Sequence, residues 1–291
     1  MVLLPILNIN AFQFPENIAN FYANDFVSHL EEHHKAITKP HKHDFYLVVL
    51  FTKGSGTHEI DFNSYPIHVG SLFMLRPGQT HNWTLSEDIE GYIFFHNKEY
   101  YNLVFASKQI DQLPFYYSNQ NSPFLMLTNE DLPSIEALFS DILFEYQNQE
   151  KLKNLRLHSL VDLLYVDISR IYLSTSDSET VVTGSYSQKL HKLESLIEQN
   201  YINEKHPSKY AEWMFMSSKH LNRIVKTLLG KTTSILIAER VVLEAKRMLI
   251  HSEKSIDQIA ESLGYDDPSY FSRFFKKKCG ETPKQFAKRY L

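Results

Sequence analysis

SIDQIAESLGYDDPSYFSRFFKKKCGETPKQFAKRYL, Ser255–Leu291, closes the chain and decides how the rest is read. Ile256, Ile259, Ala260 and Leu263 recur at helical spacing, so the stretch opens with a helix that has one apolar face. Ala260 is small where a second helix must cross closely. Gly264 follows where the chain leaves the helix and is expected at φ > 0. Asp267 is placed to cap the next helix, with Pro268 at its first position. On that second helix Phe271, Phe274 and Phe275 share a face, with Cys279 one turn further on. Ser269, Ser272, Arg273 and Lys276 take the opposite face. A helix that buries one side in its own domain and shows Ser, Arg and Lys on the other suits a DNA major groove.

The pattern occurs a second time upstream. YAEWMFMSSKHLNRIVKTLLG, Tyr210–Gly230, matches Ile259–Gly280 with one residue fewer in the turn. Ala211 corresponds to Ala260, Leu221 to Phe271, Arg223 to Arg273, Lys226 to Lys276 and Gly230 to Gly280. A repeated unit is far more specific than a single helix-turn-helix match. Between the copies, Ala238, Val241, Val242, Ala245, Met248 and Leu249 form the apolar stripe of one long helix over Thr232–His251. Its length, about 30 Å, approaches the roughly 34 Å between successive major-groove segments on one DNA face.

This region resembles the tandem helix-turn-helix DNA-binding domain of the AraC/XylS family of bacterial transcription regulators. RVVLEAKRML (Arg240–Leu249) and the run Ile259–Pro283 carry the resemblance. Two positions depart from the family pattern. Phe215 stands where the first turn usually has Gly, so a less regular turn is expected there; Ala287 stands where the family often has Arg.

Charge is divided along the chain in a way that fits. The net charge is −4, which alone argues against nucleic acid. Residues 188–291, however, hold 19 Lys and Arg against 12 Asp and Glu, and residues 1–187 hold 11 against 22. A basic end on an acidic remainder is the footprint of a DNA-binding module joined to a domain that avoids DNA. No run of eighteen apolar residues occurs, so no membrane span is expected. The apolar start MVLLPILNIN lacks the flanks of a signal peptide, and the single cysteine, Cys279, rules out an intrachain disulfide. Both favour a cytoplasmic protein.

Upstream, HKHDFYLVVLF, GTHEIDF, YPIHV, SLFMLR, HNWTL and EGYIFF are short, β-branched or aromatic, and separated by turn signals. They predict a sandwich or barrel of the jelly-roll kind, with KGSG (Lys53–Gly56) and RPGQ (Arg76–Gln79) as hairpin turns. Before them, Asn24–His34 reads as helix, with His33 and His34 on the surface. After them, Leu132–Tyr146 and Leu152–Leu173 read as helices, the second with more apolar surface than one partner needs. Trp83 and Trp213 are assigned to the core. The strand region, through His41-Lys-His43 and GSLFMLRPGQTH ending at His81, resembles the cupin-type sensing domain that precedes this DNA-binding module in many family members. The resemblance implies an effector pocket in the barrel and a dimer contact on the helices after it.

His41 and His43 lie two apart on a strand and leave the same face, and His81 could meet them across a barrel. Three imidazoles can hold zinc, copper or iron, or can hydrogen-bond an effector or one another. The metal-binding cupin pattern adds a carboxylate where Leu47 and Val48 stand, so His41, His43 and His81 are assigned to effector binding, with no cofactor and no metal expected. Lys219, His220, Asn222, Arg223 and Lys226 line the first recognition helix; Ser269, Tyr270, Ser272, Arg273, Lys276 and Lys277 line the second. N-terminal positions are expected at base edges, and Lys276 and Lys277 at phosphate.

The expectation is an α+β protein of two domains. Residues 1–130 form a cupin-like effector-binding barrel, 131–173 a helical dimerisation segment, 174–187 a linker and 188–291 an all-α tandem helix-turn-helix. The function expected is sequence-specific transcription regulation in response to a small molecule. The partners are double-stranded DNA, the effector and a second copy of the chain, with RNA polymerase a candidate. The alternatives are a metal-dependent cupin enzyme with a DNA-binding tail and a regulator controlled by a protein partner.

Overall fold

Tyr46–Lys53 forms strand β4, and its surroundings explain why the run FYLVVLF lacks polar alternation. Tyr46 through Phe51 are all buried because the strand lies mid-sheet with cover on both faces. Phe45, Leu47, Val49 and Phe51 point into one core with Phe73, Leu75 and Phe95. Tyr46, Val48 and Leu50 point into another, shared with Ile135, Phe139, Leu157, Leu164 and Ile168 from the helices that follow.

The structure is a computed structural model, describing residues 5–12, 18, 20–33, 40–104, 109–175 and 185–290. Its strands are β1 (Ile6–Leu7), β2 (Phe21–Asp25), β3 (His41–His43), β4, β5 (Gly56–Ile60), β6 (Asn63–Ile67), β7 (Ser71–Leu75), β8 (Thr80–Leu85), β9 (Glu90–His96) and β10 (Phe124–Met126). They form two five-stranded sheets, in the orders β1-β3-β8-β5-β6 and β10-β7-β4-β9-β2. The helices of this half are α1 (Phe26–His33), α2 (Lys98–Val104), α3 (Leu132–Gln147) and α4 (Lys153–Thr175). The chain divides into two compact units, one built from β1–β10 with α1–α4, the other from the helices after residue 184. Helices α3 and α4 share a core with the β4 sheet, so they belong to the barrel unit.

Both turn signals are turns, but neither closes a hairpin. KGSG joins β4 to β5 and RPGQ joins β7 to β8, and each pair of strands lies in different sheets. The hairpin of this region is β5–β6, paired Ile60↔Asn63, with Asp61 and Phe62 at φ 47 and 69. Two left-handed residues in a two-residue loop give the turn whose twist matches the strands. Phe at its second position hid it in the sequence. The helix expected over Asn24–His34 begins only at Phe26, after β2. His33 is not a surface residue: its ring packs on Phe12 at 5.0 Å and Tyr22 at 5.6 Å, and burial lowers its pKa. His34 and most of the stretch read as linker lie outside the described residues. Trp83 and Trp213 are half-buried rather than core residues.

The second unit holds α5 (Ser185–Asn200), α6 (Pro207–Trp213), α7 (Ser218–Leu229), α8 (Thr233–His251), α9 (Ile256–Ser262), α10 (Pro268–Cys279) and α11 (Pro283–Tyr290). The repeat is visible in the caps. Helices α7 and α10 end on Gly230 and Gly280, at φ 65 and 81, each donating its N–H to the carbonyl four residues back. Thr232 and Thr282 then accept from the backbone N–H of Ile235 and Gln285 at the start of the next helix. Ser217 caps α7 through His220 N–H and Asp267 caps α10 through Ser269 N–H. Each such cap is worth about 1 kcal/mol. Arg240 ties α8 to α5 with a two-pronged pair to Glu198, 2.5 and 2.7 Å, over the ring of Tyr201.

Candidate functional site

The two helix-turn-helix turns have the same backbone. Met216 N–H donates to Ala211 O and Tyr265 N–H to Ala260 O, both at 3.0 Å. Phe215 and Gly264 take the left-handed position, at φ 54 and 73. The irregular first turn expected from Phe215 is therefore not found: the conformation is kept and the Phe side chain is left 94% exposed. Behind each turn an apolar face is buried, with Leu221, Ile224 and Val225 on α7 and Phe271 and Phe275 on α10.

That burial turns the polar faces outward. Lys219, Arg223 and Lys226 are exposed on α7, and Ser269, Tyr270, Arg273, Lys276 and Lys277 on α10. Ser272 is half-buried beside them. Two positions on α7 have structural partners that the sequence does not signal. Asn222 accepts the Thr233 N–H at 3.0 Å, capping α8 from the neighbouring helix. His220 Nδ1 accepts from Arg223 Nη2 at 2.9 Å, and its ring sits edge-on to Tyr186 at 6.0 Å. Arg223 is thus held in place, whereas Arg273 has only a 3.6 Å pair with Asp267, itself exposed. Helix α8, 19 residues and about 28 Å long, separates the two helix-turn-helix copies.

In the barrel, His41 and His81 do not meet across the interior; they are direct partners on adjacent strands, β3 and β8. His43 is on the same face two residues on, and all three are buried. Their ring centroids lie 4.5–4.8 Å apart. His81 Nε2 is 3.2 Å from His43 Nε2, and its Nδ1 is 2.8 Å from Nε2 of a fourth imidazole, His58. His58 is not among the residues expected at the site from sequence, yet a signal exists: in GTHEI the polar Glu59 alternates with His58 and Ile60, which face inward together. Burial first, and His41 second, hold His58 down to about 3, so it is neutral. Beside the cluster, His41 and His43 line a cavity of about 10 Å³ together with Leu7, Phe12, His29, Phe45, Leu47, Trp83 and Phe95; His81 does not line it. That holds one water or one ion.

A family model described as an AraC-like ligand binding domain matches residues 25–159, and one described as a helix-turn-helix domain matches residues 210–289. The chain belongs to the AraC family of transcription regulators. Its fold is that of the family, a sheet-rich ligand-binding domain followed by a helical DNA-binding domain. It is similar to the HTH-type transcriptional activator RhaR of Enterobacter sp. (strain 638), 22% identical over 275 residues, covering 93% of this chain and 95% of that protein. It is 27% identical over 254 residues to the activator RhaS of Pectobacterium carotovorum subsp. carotovorum, covering 84% and 85%. Among solved structures, the K231A variant of apo ToxT from Vibrio cholerae aligns over 95% of this chain and all of that one, at 16% identity and a TM-score of 0.43. Among the described residues no helix is long and apolar enough to cross a membrane.

Proposed function

We propose that this family member is a cytoplasmic homodimer, without enzymatic activity, that reads a bipartite DNA site through α7 and α10 and is controlled from the barrel. The observation that carries the DNA reading is the duplicated unit, matched cap for cap, with a cationic exposed face on each recognition helix. Lys219, Arg223, Ser269, Tyr270 and Arg273 are the candidates for base edges. Lys226, Lys276 and Lys277, further along their helices, suit phosphate. Ser272 lies between them; His220 and Asn222 share the α7 surface with Lys219 and Arg223 and also brace it, His220 through Arg223 and Asn222 through Thr233. The experiment is footprinting of the full-length protein. Two protected segments about one helical turn apart are expected. A single short footprint, indifferent to changes in α7, refutes the bipartite reading.

Dimerisation is supported by α4. Leu157, Val161, Leu164 and Ile168 pack on the sheet, while Leu155, Leu163 and Leu173 remain 60, 47 and 39% exposed. The same helix touches strand β9 and helix α2 of the barrel unit through polar contacts: Tyr165 hydroxyl with His96 Nε2 of β9 at 2.7 Å and Asp162 with the Tyr101 hydroxyl of α2 at 2.8 Å. A change inside the barrel therefore has a route to the dimer face, and from there to the spacing of the DNA-binding units or to RNA polymerase. His41, His43 and His81 are the polar contacts available to an effector. Because the cavity is small, anything larger than a water must displace part of its lining. Replacing each of the three histidines with Ala is expected to blunt the effector response and leave operator affinity without effector unchanged. Wild-type response in all three variants overturns the assignment.

A further inference from the structure

We infer that His41, His43 and His81 form a three-histidine site for a divalent transition-metal ion of the zinc class, with one coordination position facing the barrel cavity. Among the described residues they are the only group of three potential ligands that the fold brings together, with one nitrogen from each lying within 4.8 Å of the others. The strands set this arrangement. Pairing of His41 with His81, and the two-residue spacing to His43, put three imidazoles on one wall with no rotation of the backbone needed.

Four details distinguish this cluster from histidines that merely pack. The rings are mutually tilted, by 52 to 69°, so their edges converge instead of stacking. The 3.2 Å between His43 Nε2 and His81 Nε2 is close to the edge of a tetrahedron with zinc–nitrogen bonds, about 3.3 Å. His81 also has the outer partner that a ligating histidine needs. With Nε2 on the ion, its proton sits on Nδ1 and is donated to His58 Nε2 at 2.8 Å, which fixes ring and tautomer. The His58 proton is then on Nδ1, and the His58 ring lies edge-on to Phe73 with centroids 4.5 Å apart. Finally, His41 and His43 border a cavity of about 10 Å³, room for one small further ligand beside the cluster.

In the metal-free protein one proton lies between His43 Nε2 and His81 Nε2, and it must leave that position before both nitrogens can face an ion. One nitrogen from each lies no more than 4.8 Å from the others, so binding must draw the widest pair toward the roughly 3.3 Å of bonding geometry. The donor set is neutral and all nitrogen, which suits zinc, copper, nickel or cobalt and rejects magnesium and calcium, ions that require oxygen. The carboxylate missing at Leu47 thus alters the choice of ion and leaves the full positive charge facing the cavity, where an anionic or hydroxyl-bearing ligand would meet it. The proposal builds on the reading of the barrel interior as the sensing site.

The test uses full-length protein stripped with a chelator and titrated with Co²⁺, then with Zn²⁺. One cobalt per chain is expected, with the intense visible absorption of a four-coordinate ion, displaced by one equivalent of zinc and unaffected by Mg²⁺. His43→Gln and His81→Gln should each weaken binding at least about 100-fold, and His58→Gln about 10- to 100-fold. The exposed His68→Gln should change nothing. Absence of stoichiometric cobalt or zinc in the wild type overturns the proposal, as does binding that survives both ligand substitutions. If a variant does not fold, the wild-type cobalt spectrum decides, because an adventitious six-coordinate ion absorbs only weakly. Metal binding with no influence of any histidine on the effector response removes the sensing assignment and leaves the metal site standing.

Discussion

Gly264 offers the sharpest test of how the second helix-turn-helix is built. A Cβ added there would lie 2.1 Å from the Ile202 carbonyl oxygen, in backbone at φ 73. The atom in the way is main chain, and Lys205 Nζ clamps it by donating to both Ile202 O (2.7 Å) and Gly264 O (3.3 Å). Gly264→Ala therefore carries two costs. The left-handed conformation costs about 1 kcal/mol relative to Gly. Forcing the turn away from the loop after α5 adds about 1–3 kcal/mol, as overpacking does elsewhere. Gly230 is the internal control, left-handed at φ 65 with nothing within 4 Å of an added Cβ. Gly230→Ala should cost only the first part. In a helical unit of this size, thermal unfolding of the full-length protein should show the α5–α11 transition lowered on the order of 10–25 °C by Gly264→Ala. Gly230→Ala should lower it by about 5 °C. Phe215, at the equivalent position of the first turn, should give the opposite sign. Its side chain packs on nothing, so Phe215→Gly relieves backbone strain at little loss and should gain about 0.5 kcal/mol. If Gly264→Ala and Gly230→Ala melt together, the close approach to Ile202 is not what the turn depends on.

Arg223→Ala and Arg273→Ala should each lose about 1–3 kcal/mol of operator affinity and relax base preference at positions about one helical turn apart. Equal losses on random DNA would place both on phosphate instead. Lys277→Ala should weaken all sequences alike and flatten the salt dependence by about one unit, read from affinities over a range of salt. Leu163→Asp should give monomers by sedimentation without unfolding the barrel, since Leu163 faces out while Leu164 faces the core; an unchanged dimer would move the interface off α4. His96 is held down to about 4, chiefly by burial, with the Asn97 carbonyl opposing and His158 adding. The unfolded chain takes a proton near 6.5 that the fold refuses until about 4, so barrel stability should fall as pH drops through that window. The loss is up to about 3 kcal/mol, and His96→Gln should reduce this slope. Equal denaturant midpoints for the wild-type barrel at pH 7 and pH 4.5 would contradict it.

The helical half was legible because its information is local. Spacing of Ile259, Ala260 and Leu263, the Asp267-Pro268 cap and the glycines at 230 and 280 each act within a turn or two of helix. The barrel was legible only as strands. Which strand pairs with which depends on contacts distant in sequence, so KGSG and RPGQ read as hairpin turns although they pass the chain between sheets. The same limit applies to the histidines. Alternation put His41 and His43 on one face, but that His81 is the neighbour of His41 follows from the β3–β8 pairing, which no local pattern encodes. Asn222 was assigned to DNA from its place on the helix, and its bond to Thr233 depends on the packing of α8.

Passing the chain back and forth between two sheets has a kinetic consequence. Strands adjacent in sequence do not pair at KGSG or RPGQ, so β4 must wait for β7 and β9, and β3 for β8. Contacts of such separation form slowly, whereas helices joined by tight capped turns close early. The barrel leaves the ribosome first but should mature last. A newly made chain would then possess a working DNA reader before its sensor is complete, and occupy operators unregulated during that interval. Pulsed hydrogen exchange during refolding measures the order directly: protection in α9–α10 should precede protection in β4 and β9, and the reverse order would exclude such an interval.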